Sequence, residues 1–146
     1  NLYGSGTYGI EAYSIFDLTV DDTDIYECTY GLVWFSAAEV VTFNNCSFMT
    51  SEQYSMFSFI GCYSMDFYDC KIIGNETKSE GSPFITCQDS LSVNFENCQF
   101  RGNEYQVFLE EGYNPPTNII EFSGCTVRDE MQDVDYPEGI TQVSYR

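Results

Sequence analysis

Seven cysteines, 23 acidic residues and no histidine are the raw material for chemistry in this chain. A structural zinc site draws four ligands from paired Cys-x-x-Cys spacings or from cysteine with histidine. Neither pattern occurs, and Cys28, Cys46, Cys62, Cys70, Cys87, Cys98 and Cys125 are spread along the chain. The odd count leaves at least one thiol free or paired outside the chain. The densest acidic corner is Asp21, Asp22 and Asp24, followed by Asp129, Glu130, Asp133 and Asp135. Three readings of the acidity stand: a solvated coat, loose divalent-cation binding, and a specific calcium cage. Neither acidic group follows an EF-hand loop or the Gly-rich calcium nonapeptide. Any calcium at Asp21, Asp22 and Asp24 is therefore expected to be weak, and no other cofactor is implied.

Five Lys and Arg against 23 Asp and Glu give a net charge of −18, which excludes nucleic acid or an anionic membrane as a natural partner. No run approaches the roughly 18 uninterrupted apolar residues of a membrane span, so membrane insertion is not expected. Aromatic residues make up 17% of the chain, more than a narrow core requires. Tyr26, Tyr30, Tyr54, Tyr63, Tyr68, Tyr105 and Tyr113 fall at outward or loop positions, where rings stack on neutral glycans or fill a protein interface.

What must position these residues is a repeat. "VTFNNCSFMTS" (41–51), "MDFYDCKIIGN" (65–75), "VNFENCQFRGN" (93–103) and "IEFSGCTVRDE" (120–130) share the frame Φ-x-Φ-x-x-C-x-Φ, where Φ is apolar. A weaker copy, "LTVDDTDIYEC" (18–28), carries Thr23 where the others carry cysteine. The anchors Thr23, Cys46, Cys70, Cys98 and Cys125 advance by 23, 24, 28 and 27 residues, too short for a repeat of two helices. Alternation on both sides of the anchor is the period of a strand with one buried face. The residue pair before each cysteine shifts that phase and supplies turn chemistry.

A third apolar run follows each anchor: "LVWF" (32–35), "MFSFI" (56–60), "PFITC" (83–87), "QVFL" (106–109) and "GITQVSY" (139–145). The segment "YGIEAYSIF" (8–16) reads as the same third strand of an earlier coil. The expectation is an all-β fold with almost no helix: a single domain over 1–146 forming a parallel β-solenoid of about six coils, three short strands each. Val41, Phe43, Cys46, Phe48, Val93, Phe95, Cys98 and Phe100 should point inward. Within such a ladder cysteine serves as a compact hydrophobe. Ladder neighbours also lie inside the disulfide window, and Cys62 with Cys87, on consecutive third strands, is the first choice for a bond.

The motif resembles the right-handed parallel β-helix repeat of the pectate-lyase-like superfamily, over about residues 8–145. Phe100-Arg101-Gly102-Asn103 is also similar to the Phe-x-x-Asn motif of chlamydial polymorphic outer-membrane proteins, whose companion Gly-Gly-Ala-Ile motif this chain lacks. The superfamily resemblance implies a choice between polysaccharide lyases or hydrolases and non-catalytic members. A lyase acting on a polyuronate needs a basic group near the substrate carboxylate, and a groove this negative repels that polyanion. Lys71, Arg101 and Arg128 are the basic residues on repeat strands or their exits, and nothing marks them as a site. Carboxylates such as Asp66, Glu96 and Glu121 face outward but are too abundant to identify a hydrolase pair. No catalytic residue is assigned.

Two sequons, Asn45-Cys46-Ser47 and Asn75-Glu76-Thr77, lie in corners or loops from which a glycan could project. They suggest a secreted or cell-surface glycoprotein. No capping helix is visible at either end of the solenoid, so Ile10, Ala12 and Ile15 in the opening coil, and Ile140, Val143 and Tyr145 in the closing one, are expected to contact other copies or flanking solenoid domains. Head-to-tail contact of this kind gives an open filament. The leading expectation is an extracellular, non-catalytic structural or adhesive module. The alternative is a polysaccharide-binding module or a degenerate lyase- or hydrolase-like β-helix.

Overall fold

The computed structural model describes residues 1–90, 92–111, 118–126 and 141–145. Among them no helix occurs, and the strands form three parallel sheets wound as a solenoid of about five turns. The first sheet holds β1 (Leu2–Tyr3), β4 (Asp24–Tyr26), β7 (Ser47–Met49), β10 (Lys71–Ile73) and β13 (Gln99–Arg101). The second holds β2 (Tyr8–Tyr13), β5 (Gly31–Ser36), β8 (Phe57–Ile60), β11 (Pro83–Gln88) and β14 (Val107–Glu111). The third holds β3 (Asp17–Asp21), β6 (Val40–Asn44), β9 (Ser64–Tyr68), β12 (Ser92–Glu96), β15 (Asn118–Ser123) and β16 (Thr141–Tyr145).

In-register pairing puts like residues on top of one another. Val20, Phe43, Phe67, Phe95 and Phe122 share one column. Its rings stack nearly parallel, with centroids 5.0 Å apart for Phe43–Phe67, 4.6 Å for Phe67–Phe95 and 5.2 Å for Phe95–Phe122. Phe48, Phe57 and Phe100 meet this column edge-on from the other two sheets, a geometry aromatic quadrupoles favour. All eight residues expected to point inward are buried.

The corners follow one rule. Each is entered by a residue in the left-handed region and followed by a residue that turns inward. Asp22, Asn45, Asp69, Asn97 and Gly124 do this between the third and first sheets, and Gly4, Glu27, Thr50, Gly74 and Gly102 between the first and second. Ser14, Ala37, Gly61 and Asp89 do it between the second and third. All take φ between +49° and +66°. Asn, Asp and Gly enter this region most readily, which is why one of them precedes each of Cys46, Cys70, Cys98 and Cys125. The link from third to first sheet always has two residues: 22–23, 45–46, 69–70, 97–98 and 124–125. The link from first to second varies, from Tyr26 to Gly31 in one coil and from Ile73 to Pro83 in another, and absorbs the longer step between Cys70 and Cys98.

One strand lies on a different sheet from the one expected. The sequence pattern makes residues 139–145 a further third strand, yet β16 pairs with β15, setting Val143 opposite Ile120 and Tyr145 opposite Phe122 in register. The segment therefore continues the Φ-x-Φ column. Period-two alternation is the same in both sheets, and no cysteine follows it to set the phase.

Candidate functional site

The cysteine anchors form one column, because Asp24, Ser47, Lys71, Gln99 and Thr126, each one residue further on, pair in series. Each thiol faces carbonyls at the end of the third sheet. Cys46 Sγ lies 3.3 Å from Val20 O, Cys70 Sγ 3.2 Å from Tyr68 O, Cys98 Sγ 3.4 Å from Phe67 O and Cys125 Sγ 3.2 Å from Phe95 O. Cysteine here is thus a small hydrophobe that also offers an S–H donor to strand ends. Neighbouring thiols and burial push Cys46 and Cys98 up, and burial pushes Cys28 and Cys62 up. A thiolate at Cys28, Cys46, Cys62 or Cys98 would sit buried against carbonyl oxygens, which disfavours ionisation there, whereas hydrogen bonds from the neighbouring thiols pull Cys70 and Cys125 down.

No disulfide joins Cys62 to Cys87. Cys87 is in register with Phe59 on β8. Cys62 lies beyond the end of that strand, in the corner, where its N–H donates to Ser90 Oγ at 3.1 Å. Only Cys87 is therefore on the strand expected of it, while Cys62, expected on the preceding third strand, lies in the corner after it.

A second inward column runs through Cys28, Ser51, Asn75 and Asn103. Cys28 N donates to Ser51 Oγ (3.0 Å), Ser51 N to Asn75 Oδ1 (3.1 Å) and Asn75 N to Asn103 Oδ1 (3.1 Å). Asn75 Nδ2 also donates to Phe48 O at 3.0 Å, and Asn103 Nδ2 to Ile72 O at 2.9 Å. Asn75 is fully buried. Its expected role as a glycan acceptor is therefore overturned in the folded chain: the amide nitrogen is spent on hydrogen bonds and has no path to solvent. Asn45 is exposed, and its Nδ2 donates to Asp22 Oδ1 at 2.7 Å.

The acidic corner does not build a cation cage. Asp21 and Asp22 each accept a hydrogen bond from the next coil, from Asn44 and Asn45 respectively. No three Asp, Glu, Cys or His side chains converge to hold a metal among the described residues, so the calcium reading of Asp21, Asp22 and Asp24 has no structural site. Elsewhere Glu52, Glu76 and Glu104 form an outward acidic column, with Lys78 paired to Glu52 and Glu76. Lys71 and Arg101 do not neighbour each other in register: Lys71 pairs with Gln99 and Arg101 with Ile73. Of the outward carboxylates, Asp66 accepts a hydrogen bond from Asn94 Nδ2 at 2.6 Å.

Two surfaces stand out. The first is the opening rung, where β1, β2 and β3 each pair on one side only. Ile10, Ala12, Ile15, Leu18 and Val20 pack on the core yet are half-buried. Their register equivalents one coil later, Val33, Phe35, Ala38, Val41 and Phe43, are no more than 1% exposed. At the other end Ile140 lies outside the described residues, while Val143 and Tyr145 lie on β16.

The second surface is a ladder of tyrosines at the corner between first and second sheets. Tyr8, Tyr30 and Tyr54 meet edge-to-face, with centroids 6.1 and 5.2 Å apart. Beside them is an open groove of about 330 Å³ lined by Glu27, Cys28, Thr29, Thr50, Glu52 and Gln53. Of the other tyrosines singled out, Tyr63 is exposed, Tyr26 stacks on Tyr3 and Tyr105 packs against Phe84 and Phe108. Tyr113 lies outside the described residues. The sequence signalled the ladder only through aromatic excess and the outward positions of Tyr30 and Tyr54, since the edge-to-face contacts join residues a full coil apart.

A family model described as "Right handed beta helix region" matches residues 1–144. No curated protein and no solved structure matches the chain.

Proposed function

The chain belongs to the right-handed β-helix family, and on that premise we propose that it is a non-catalytic structural or adhesive module of the extracellular space or cell surface. It works by stacking its opening rung onto a further β-helical rung, that of another copy or of a flanking solenoid segment. One observation carries this reading: Ile10, Ala12, Ile15, Leu18 and Val20 are half-buried, whereas the same columns are sealed one coil later. A parallel rung laid over β1, β2 and β3 would extend all three sheets in register and cover these side chains. At about 25 cal/mol per Å² of apolar area, covering a few hundred Å² contributes several kcal/mol. Open strand edges recruit such a partner in any case.

The net charge of −18 opposes association of copies at low ionic strength, so contact strengthens as salt screens the sides. Placement outside the cell is supported by the exposed sequon at Asn45. It is also compatible with the thiols, because burial protects them from oxidation. The test is mass photometry and electron microscopy across protein concentration and salt. Stacked species should appear and grow with both, and Leu18→Asp, which places a charge on the opening rung, should abolish them. A wild-type chain that stays monomeric at high concentration and high salt would overturn stacking between copies.

A further inference from the structure

We propose that the outer face of the second sheet around Tyr13 and Trp34 docks an extended, arginine-rich segment of a partner protein. The side chains concerned point away from the core columns of the opening rung, so this inference is independent of end-to-end stacking.

Alternation along β2 and β5 turns Ile10, Ala12, Val33 and Phe35 toward the core and leaves Glu11, Tyr13 and Trp34 outside. Glu11 stands opposite Trp34 in register, and its Oε1 accepts a hydrogen bond from Tyr13 Oη at 2.9 Å. The Tyr13 and Trp34 ring centroids are 4.7 Å apart and the planes are tilted by 54°, so these rings do not cover each other's faces as the parallel rings of the core do. Tyr13 is 61% exposed. From Trp34 the row continues through Ser58 and Thr86, whose short side chains leave the rings standing above the sheet. Ring and carboxylate alternate again at the corner that follows. Phe16, Glu39 and Tyr63, each the residue before one of three strands paired in register, are all exposed there.

Arginine is the side chain that fits this pattern. Its guanidinium is planar, stacks on an aromatic face and forks two donors onto a carboxylate. No Lys or Arg precedes Lys71 in the sequence, and neither Glu11 nor Glu39 has an ion pair among the described residues. A partner without positive charge would desolvate these carboxylates with nothing to compensate them. A second copy brings its own net charge of −18 to the same flank. An extended segment suits the site because its rings and carboxylates run along the coil from the second sheet into the corner before the third.

Trp34 is the single tryptophan of the chain, so its fluorescence reads the site directly. The test titrates the intact chain with acetylated, amidated nonapeptides that carry three arginines, three lysines or three glutamates among glycines. Trp34 emission should change saturably with the arginine peptide, more weakly with the lysine peptide and not with the glutamate peptide. Added salt should weaken this response, opposite to its effect on stacking of copies, so the two readings fail separately. Tyr13→Ala and Glu11→Gln should each weaken binding about threefold. Tyr13→Phe, which keeps the ring, should retain it, and so should Glu104→Gln in the outward acidic column at a different corner. Far-UV circular dichroism and a thermal melt establish that each variant is folded. The proposal is overturned by absence of a saturable change with the arginine peptide, or by equal responses to all three peptides. It is overturned equally by Glu104→Gln weakening binding as much as Glu11→Gln, which would make net charge the whole attraction, or by a response to cellohexaose and none to the arginine peptide.

Discussion

Asn103 Oδ1 accepts two hydrogen bonds from Asn75, one from its backbone N and one from its Nδ2, both at 3.1 Å, across 28 residues of sequence. A single side-chain oxygen thereby satisfies two donors of a residue that is fully buried one coil below. The pair continues downward to Ser51 and Cys28, so the corner between the first and second sheets is closed by polar side chains and not by loop packing.

Asn103→Ala should therefore leave both Asn75 donors without that acceptor. The expected loss is about 1 to 3 kcal/mol for stranding buried polar groups, read as a lower urea midpoint with an unchanged slope. The same burial predicts where glycans go. Peptide mapping of folded protein from a eukaryotic secretory host should find Asn75 bare, with any glycan at Asn45. A glycan at Asn75 in cooperatively folding protein would contradict the placement.

Phe95 is the centre of the ring column, stacked on Phe67 and Phe122 and touched edge-on by Phe57 and Phe100. Phe95→Ala should cost roughly 3 to 5 kcal/mol, because neighbours held in two ladders cannot collapse into the cavity. Equilibrium denaturation is the measurement, and a loss under about 1 kcal/mol would mean that the column repacks.

Gly31 is required for a close approach. A Cβ built there would stand 2.2 Å from Ser55 O, a backbone atom that cannot rotate away. Gly31→Ala should destabilise by at least about 1 to 3 kcal/mol through backbone displacement. Gly61→Ala is the contrast, since its Cβ would meet nothing within 4 Å and only its φ of +61° opposes the change. It should cost less, about 1 kcal/mol.

The buried thiols predict a pH effect at the alkaline end. Burial raises the Cys28 and Cys62 thiols above their ordinary value of 9.0. As pH rises through about 9, the unfolded chain releases these protons while the folded chain keeps them, so stability present below that pH is lost above it. Urea midpoints measured from pH 7.5 to 10 should fall, and fall less steeply in Cys62→Ala. In the same range a thiol reagent should label the folded protein slowly and the unfolded protein at once.

Much of this architecture is written locally and was legible for that reason. The frame from Val93 to Phe100 spans a strand, a corner and a strand, and its alternation reports directly which side chains are buried. What the sequence misplaced depends on the neighbouring coil. The Asn75 sequon is defined by three adjacent residues, while the group that buries its role is Asn103, 28 positions on. Cys62 and Cys87 looked equivalent because both follow apolar runs, yet a corner residue and a strand residue differ only in register with the next rung. Tyr30 and Tyr54 were legible as outward tyrosines, but their edge-to-face contact joins residues a full coil apart and escapes local patterns for the same reason.

The variable link between first and second sheets, from Tyr26 to Gly31 in one coil and from Ile73 to Pro83 in another, decouples how long a turn is from where its strands land. Length can be added at residues 74–82 without moving any column, because the two-residue links at the cysteine corner hold the register. The link from second to third sheet gives a second such place, since it has three residues in four coils and six between Glu111 and Asn118. A peptide grafted at residues 74–82 would be presented on the flank that carries Glu76, Lys78 and Glu104, with the coils above and below unaltered.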